Sequence, residues 1–92
     1  MTDDEFAAYL AQRGRGDELL ARLERLGFTR DFVVSNVLSS QGPLTVAQIA
    51  MLWQGMPNKH DRKRTRELFD ALVEVGLLEA DPQGESWRLT RT

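Results

Sequence analysis

The amino-acid sequence predicts a mainly helical fold that ends in one small β-hairpin. Apolar residues recur every three or four positions through most of the chain, and glycines interrupt this pattern at intervals, which is typical of several short amphipathic helices. The turn signal Asp-Pro-Gln-Gly at residues 81–84 stands between the predicted strands 77–80 and 86–90 and predicts the hairpin. Because 92 residues suffice for one modest core, we expect residues 1–92 to form a single domain.

A helical hairpin is expected at the N-terminus, over residues 1–27. Thr2 and Glu5 have the spacing of a capping box, so the first helix should begin there, and a Gly-Arg-Gly stretch should end it. Asp17 is the predicted N-cap of the second helix, and Gly27 is its predicted left-handed C-terminal residue. An apolar stripe on this helix contains Leu19, Leu20, Leu23 and Leu26. The stripe must be buried either within the chain or across a dimer, and the sequence leaves both alternatives open.

A third helix is predicted from its N-cap at Thr29 to about Ser40. Its apolar residues cover more than one side of the helix, which indicates burial on more than one side. They are Phe32, Val33, Val34, Val37 and Leu38. We therefore expect this helix to lie between the N-terminal hairpin and the rest of the domain. Gly42-Pro43 ends it, and Leu44 is expected to form a very short strand.

Two further helices are predicted on either side of a Gly-Met-Pro break. Thr45 and Gln48 form another capping-box pattern and open the shorter helix. Its predicted buried face contains Val46, Ile49, Ala50 and Trp53. Met51 points away from that face and is expected to be exposed. The longer helix is predicted over residues 58–76, with a buried face of Thr65, Leu68, Phe69, Leu72, Val75 and Gly76.

The charge of the chain is distributed unevenly. The net charge is −2, yet residues 57–66 carry five basic residues against one acid. The five are Lys59, Arg62, Lys63, Arg64 and Arg66. Residues 67–92, in contrast, carry six acids against two arginines. Because a local basic patch attracts a polyanion even on an acidic protein, the segment 57–66 is the strongest functional signal in the sequence.

Three segments resemble parts of the winged helix-turn-helix of bacterial regulators. The segment Gln-Gly-Pro-Leu-Thr-Val-Ala-Gln-Ile-Ala at 41–50 resembles the start of the helix-turn-helix, and Leu-Val-Glu-Val-Gly-Leu-Leu-Glu at 72–79 resembles the passage from recognition helix to wing. Trp-Arg-Leu-Thr at 87–90 resembles the second strand of the wing. The predicted order of helix, short strand, helix, turn, longer helix and hairpin is also that of a winged helix. The resemblance implies a winged-helix core over 28–92, preceded by residues 1–27 as an N-terminal helical extension.

The resemblance implies a DNA-binding transcriptional regulator that presents the basic helix 58–76 to duplex DNA. The residues expected at the DNA are Lys59, His60, Arg62, Lys63, Arg64, Arg66 and Arg88. Lys63 and Arg66 face away from the predicted core and could read guanine in a major groove. Arg62 and Arg64 flank them and could hold phosphates, as could Lys59 and His60 in the preceding turn. On the wing side, Arg88 and Arg91 are the candidate contacts.

Several alternatives stay open. The basic face could be an ordinary solvated face, because Lys63 with Glu67 and Arg66 with Asp70 have the spacing of ion pairs on one helix. The acidic wing and an isoelectric point near 5.3 favour instead a protein–protein interaction module, or a subunit of a larger assembly, that does not bind DNA. Single-stranded nucleic acid could stack on the two tryptophans, although their apolar neighbours predict core positions. A homodimer through the N-terminal helices is a further expectation, since winged-helix regulators commonly dimerise outside the motif.

Several functional classes lack any supporting pattern. The chain has no cysteine and one histidine, so we expect no metal site and no cofactor. No nucleophile motif or glycine-rich phosphate loop is visible, and we do not expect an enzyme. The acidic N-terminus lacks the pattern of a signal peptide, and the apolar runs are short, so we expect a cytoplasmic protein without a membrane partner.

Overall fold

The computed structural model describes residues 1–90, which form a mainly helical fold with a two-stranded antiparallel sheet, as the sequence predicts. The helices are α1 (Asp3–Arg13), α2 (Gly16–Leu26), α3 (Arg30–Phe32) with a π-helix directly after it (Val33–Val37), α4 (Val46–Gln54) and α5 (Lys59–Glu74). The strands are β1 (Leu78–Ala80) and β2 (Trp87–Leu89).

The start of α1 is confirmed, whereas the predicted cap of α2 is wrong. The Thr2 hydroxyl accepts a hydrogen bond from the Glu5 N–H at 3.1 Å, and the Glu5 carboxylate accepts one from the Thr2 N–H at 3.2 Å. In α2 the N-cap position is occupied by Arg15, without a side-chain cap. Asp17 lies two positions after the N-cap and sits in the first helical turn, where its negative charge still interacts favourably with the helix dipole.

The chain turns sharply after α2, as predicted at Gly27. Gly27 has a φ of 88°, its N–H donates to the Glu24 carbonyl at 3.0 Å, and the Phe28 N–H donates to the Leu23 carbonyl at 2.9 Å. This pair of bonds is a Schellman motif. Phe28 is thereby directed into the core, where its ring packs edge-on against that of Trp53 with 5.0 Å between centroids.

The third helical segment departs from the prediction. Thr29 caps α3 as expected, by accepting from the Phe32 N–H at 3.1 Å, but the helix continues as a π-helix and ends at Val37 rather than near Ser40. The Leu38 N–H donates to the Val33 carbonyl, five residues back, at 2.9 Å. The wider turn accompanies burial of most of the predicted apolar residues, namely Val33, Val34, Val37 and Leu38.

Helices α4 and α5 begin where the sequence predicts. Thr45 with Gln48, and Asn58 with Asp61, form complete capping boxes. The predicted inner face of α5 is fully buried at Thr65, Leu68, Phe69 and Leu72. The indole N–H of Trp53 donates to the Thr65 hydroxyl at 3.0 Å, so the end of α4 is fastened to the inner face of α5.

The C-terminal hairpin is joined by one residue from far back in the chain. Strands β1 and β2 pair with Leu78 opposite Leu89 and Ala80 opposite Trp87. Leu44 forms a bridge on the other side of β2, where its N–H and carbonyl are bonded to Trp87 at 2.7 and 2.8 Å. The short strand predicted at Leu44 is therefore confirmed, and the order across the sheet is Leu44, β2, β1.

The N-terminal hairpin belongs to the same core as the rest of the chain. In the leucine stripe of α2, Leu19 and Leu23 are buried and pack in one cluster with the inner face of α5. Outside the core, the Tyr9 hydroxyl donates to the Val75 carbonyl at the end of α5 at 2.5 Å. The stripe thus packs within the chain, with Leu19 and Leu23 in the core and Leu20 and Leu26 partly buried against it. Within residues 1–90, no helix combines the length and the apolar character needed to cross a membrane.

Candidate nucleic-acid interface

The basic residues lie in the first two turns of α5. Asn58 is the N-cap, its side chain accepting from the Asp61 N–H at 2.9 Å, and the helix proper begins at Lys59. The unpaired N–H groups and the positive end of the helix dipole are therefore at the same end as the basic side chains. The C-terminal half of the helix carries the acids Glu67, Asp70 and Glu74 instead.

One exposed face of α5 collects three of the predicted contact residues. Lys59, Lys63 and Arg66 are spaced by four and three positions and are all exposed. At 1.5 Å rise per residue they extend over about 10 Å of helix. Thr65 and Leu68 lie on the buried side. A major groove, about 12 Å wide, can admit a helix that carries such a row.

The ion pairs predicted for an ordinary solvated face are not formed. In the part of the chain that the structure describes, the ion pairs are Arg15–Glu18, Arg22–Glu74 and Arg30–Asp3. Neither Lys63 with Glu67 nor Arg66 with Asp70 is among them. Within those residues Lys59, His60 and Lys63 also make no side-chain hydrogen bond. Their donors are therefore available to an anionic ligand.

The remaining exposed arginines of the segment have weak internal contacts. Arg62 donates from Nη1 to the Pro57 carbonyl at 3.2 Å. Arg66 lies over the Trp87 ring, 5.7 Å from its centroid, and its Nη2 is 3.5 Å from the Gly84 carbonyl. These contacts direct Arg66 towards the hairpin and leave most of its guanidinium donors free.

Arg64 has a different role from the phosphate contact predicted for it. It is half-buried, donates from Nε to the Leu26 carbonyl at 3.0 Å and also bonds that carbonyl through Nη2. Its guanidinium lies over the Trp53 ring, 5.0 Å from the centroid. These contacts join α5 to the end of α2 and to α4, so we leave Arg64 out of the candidate interface.

Arg88 does not converge with the basic face of α5. Side chains alternate along β2, and Trp87 points inward against Phe69, with 4.8 Å between the ring centroids. Arg88 consequently points to the opposite side of the sheet, across from Glu79 in the register. It lines a shallow groove with the loop at 40–43. Arg91, the other arginine predicted on the wing side, lies outside the described residues.

The hairpin tip keeps a negative charge. The Asp81 carboxylate accepts from the N–H groups of Ser86 at 3.1 Å and Glu85 at 2.7 Å. These hydrogen bonds, that of Ser86 foremost, hold the pKa of Asp81 below its ordinary value and outweigh the opposing effect of burial. An ionised carboxylate at this position would repel a phosphate backbone, so the tip is a poor second contact for DNA.

Both tryptophan rings pack against other residues of the protein. Trp87 is 3% exposed, and Trp53 lies partly buried between Phe28 and Arg64. Neither arrangement presents an open ring to a single-stranded base, so the stacking alternative has no structural support.

One exposed feature goes beyond the sequence prediction. Met51 is exposed as expected, but Leu52 and Met56 are exposed as well. On a helical wheel Met51 and Leu52 flank Gln48 on the side of α4 opposite Ile49 and Ala50. That wheel could have revealed Leu52, whereas Met56 lies in the turn after α4, beyond any helical periodicity.

Residues 1–90 contain no group of three or more His, Cys, Asp or Glu side chains placed to bind a metal ion. No protein-family model, curated protein or solved structure matches this chain.

Proposed function

We propose that this protein is a DNA-binding transcriptional regulator of the cytoplasm with a winged helix-turn-helix fold. The N-terminal half of α5 lies in a major groove of duplex DNA. Lys63 and Arg66 contact base edges, and Lys59, His60 and Arg62 contact phosphates.

The order and pairing of the elements support the fold part of this proposal. From α3 onward the chain forms a helical segment, the single-residue strand at Leu44, two helices joined by residues 55–58, and a hairpin. The bridge of Leu44 to Trp87 makes β2 the central strand between Leu44 and β1. This sequence of elements is the one that the resemblance to winged-helix regulators implies.

The observation that carries the functional part is the exposed row of Lys59, Lys63 and Arg66 at the N-terminal end of α5. Recognition helices in helix-turn-helix proteins contact bases through their N-terminal residues, and here only that half of α5 is basic. The acidic half, from Glu67 onward, would lie away from the phosphates. With the acidic hairpin tip excluded, α5 supplies nearly all of the proposed contact.

Binding of the intact protein to a labelled pool of random duplexes, followed by fluorescence anisotropy, tests the proposal. With the two to three phosphate contacts proposed for Lys59, His60 and Arg62, we expect the affinity to fall roughly ten- to fortyfold between about 50 and 200 mM salt. The triple variant Lys59→Ala, Lys63→Ala, Arg66→Ala should lose this binding. A matched control, Arg15→Ala, Arg25→Ala, Arg30→Ala, removes the same charge from exposed positions at the N-cap of α2, in α2 and in α3, and should keep the binding.

Absence of salt-sensitive binding by the wild-type protein at low ionic strength would contradict the proposal. Equal losses of DNA affinity in the two triple variants would show that binding depends on the net charge of the protein and not on the basic row of α5. Either result would leave the other interpretation of the sequence, a winged-helix protein–protein interaction module, as the better hypothesis.

A further inference from the structure

The large apolar side chains that remain most exposed in residues 1–90 are concentrated in one short segment. Met51 and Leu52 are each 59% exposed, and Met56 is 93% exposed. The Gly55 N–H donates to the Met51 carbonyl at 2.9 Å, so the turn that carries Met56 closes directly onto the end of α4. We call these three residues the α4 patch.

The core does not require the α4 patch to be apolar. Ile49 and Ala50 already provide the buried side of α4, Met51 and Leu52 lie on its other side, and Met56 is exposed in the turn after the helix. The proposed DNA contact does not require it either, since that contact uses charged side chains of α5. Clustered apolar side chains on a water-exposed surface mark interaction sites, and methionine adapts its shape to varied partners.

Cations border the α4 patch. Arg62 bonds the carbonyl of Pro57, the residue after Met56, which places a guanidinium beside the patch. Lys59 and Lys63 follow in the same exposed helical start, and residues 32–60 contain no acid. The surface therefore combines an apolar centre with a positive edge, and its electrostatic complement is an apolar segment flanked by acids.

Two other occupants fit this surface less well. A second copy placed face to face would bring two sets of Lys59, Arg62 and Lys63 together, and like charges in contact are costly. A head-to-tail contact with the acidic hairpin of the next copy would pair the charges, but the tip at 81–86 carries no large apolar side chain to cover the patch. A flat anionic bilayer would face the molecule as a whole and not the patch alone. The molecule has a net negative charge, since its 14 acids exceed its 12 basic residues, and would be repelled.

We propose that the α4 patch and its bordering cations, Lys59, Arg62 and Lys63, form a docking site for an acidic amphipathic helix of a partner protein. The apolar side chains of that helix cover Met51, Leu52 and Met56, and its acids pair with the cations. Because the cations are shared with the proposed DNA contact, the docked partner and DNA exclude each other.

Selection of random peptides of about 15 residues on the intact protein tests this proposal without DNA. The enriched peptides should carry apolar residues at helical spacing together with a net negative charge. The strongest of them, made synthetically, is then measured for affinity. The variant Met51→Gln, Leu52→Gln, Met56→Gln should bind it about tenfold or more weakly while keeping the wild-type unfolding midpoint. The variant Lys59→Glu, Lys63→Glu should also lose binding, and the control Arg15→Glu, Arg25→Glu should retain it.

Several results would overturn the proposal. One is that the wild type enriches no more peptides than the patch variant does when it is used as the bait. Another is that the enriched peptides lack acidic residues. A third is that the chosen peptide binds the patch variant and the wild type with equal affinity. A concentration-dependent dimer that the patch variant abolishes would identify a second copy as the occupant. Vesicles of mixed zwitterionic and anionic lipid that bind the wild type but not the patch variant, with no peptide enriched, would identify a bilayer. Since the patch variant keeps every proposed DNA contact, failure here and failure of DNA binding are distinguishable.

Discussion

Arg64 in the middle of the basic segment is bonded to the main-chain carbonyl of Leu26, the last residue of α2. A cation at the C-terminus of a helix bonds an otherwise unpaired carbonyl and interacts favourably with the helix dipole. The same guanidinium covers the Trp53 ring. One residue of the basic segment thus holds three helices together, while the other four basic residues of the segment remain exposed.

Arg64→Ala should lower the free energy of unfolding by about 1–2 kcal/mol, because it removes charge-assisted hydrogen bonds from a half-buried site. Lys63→Ala, next to it on the exposed face, should change stability by no more than about 0.5 kcal/mol. Urea denaturation of both variants provides the comparison. Equal stability of the two variants would show that the Arg64 contact contributes nothing beyond an ordinary surface charge.

Gly27→Ala should be more destabilising than Gly14→Ala. Both glycines end a helix with positive φ, 88° and 72°, so alanine is strained at either position by about 1 kcal/mol. At Gly27 a methyl group would also collide with the Arg64 guanidinium, whereas the space around Gly14 is open. We expect about 1 kcal/mol more loss at Gly27, measured by urea denaturation. In an Arg64→Ala background the additional loss of stability at Gly27 should vanish. If it persists, the collision with Arg64 is not its cause.

The proposed roles at DNA separate into two measurable effects. Lys63→Ala or Arg66→Ala should cost about 1–3 kcal/mol and relax the preference at one base-pair position, because each loses a contact to a base edge. Lys59→Ala should weaken binding to all sequences alike and reduce the salt slope by about one. Competition among a set of duplexes differing at single positions, repeated at several salt concentrations, measures both. Uniform losses for all three variants would contradict base contacts by Lys63 and Arg66.

Asp81 should make the stability of the hairpin depend on pH. The pKa of its carboxyl is lower in the folded protein than in the unfolded chain, because Ser86 and neighbouring N–H groups bond the ionised form. Its contribution is therefore complete above the ordinary carboxyl pKa and is lost as pH falls through the lowered folded value. We expect the stability difference between wild type and Asp81→Ala to shrink from neutral to acidic pH in urea titrations. A difference that stays constant over this range would exclude the ionised carboxylate as the cause.

Patterns of close neighbours in the chain predicted most of the local structure. The capping boxes at Thr2 and Thr45 and the single cap at Thr29 depend on groups three residues apart. The turn at Gly27 depends on hydrogen bonds between residues no more than five positions apart. The inner face of α5 follows from apolar spacing in the same way. Such interactions are fixed by helical geometry, whichever partners lie beyond the helix. The prediction of Asp17 as an N-cap was wrong only in the position of the helix start, because helix ends shift easily by one or two residues.

Contacts between distant parts of the chain decided the rest. The sequence by itself determined a mainly helical chain with a C-terminal hairpin and a basic start to α5. Only the tertiary structure buried the leucine stripe within the chain, wound residues 33–37 as a π-helix, and divided the basic residues into different roles. Arg64 meets a carbonyl 38 positions away, whereas Lys63 meets none. Periodicity gives the direction of a side chain from its own helix, but its partner depends on which elements pack beside that helix, which no local pattern encodes.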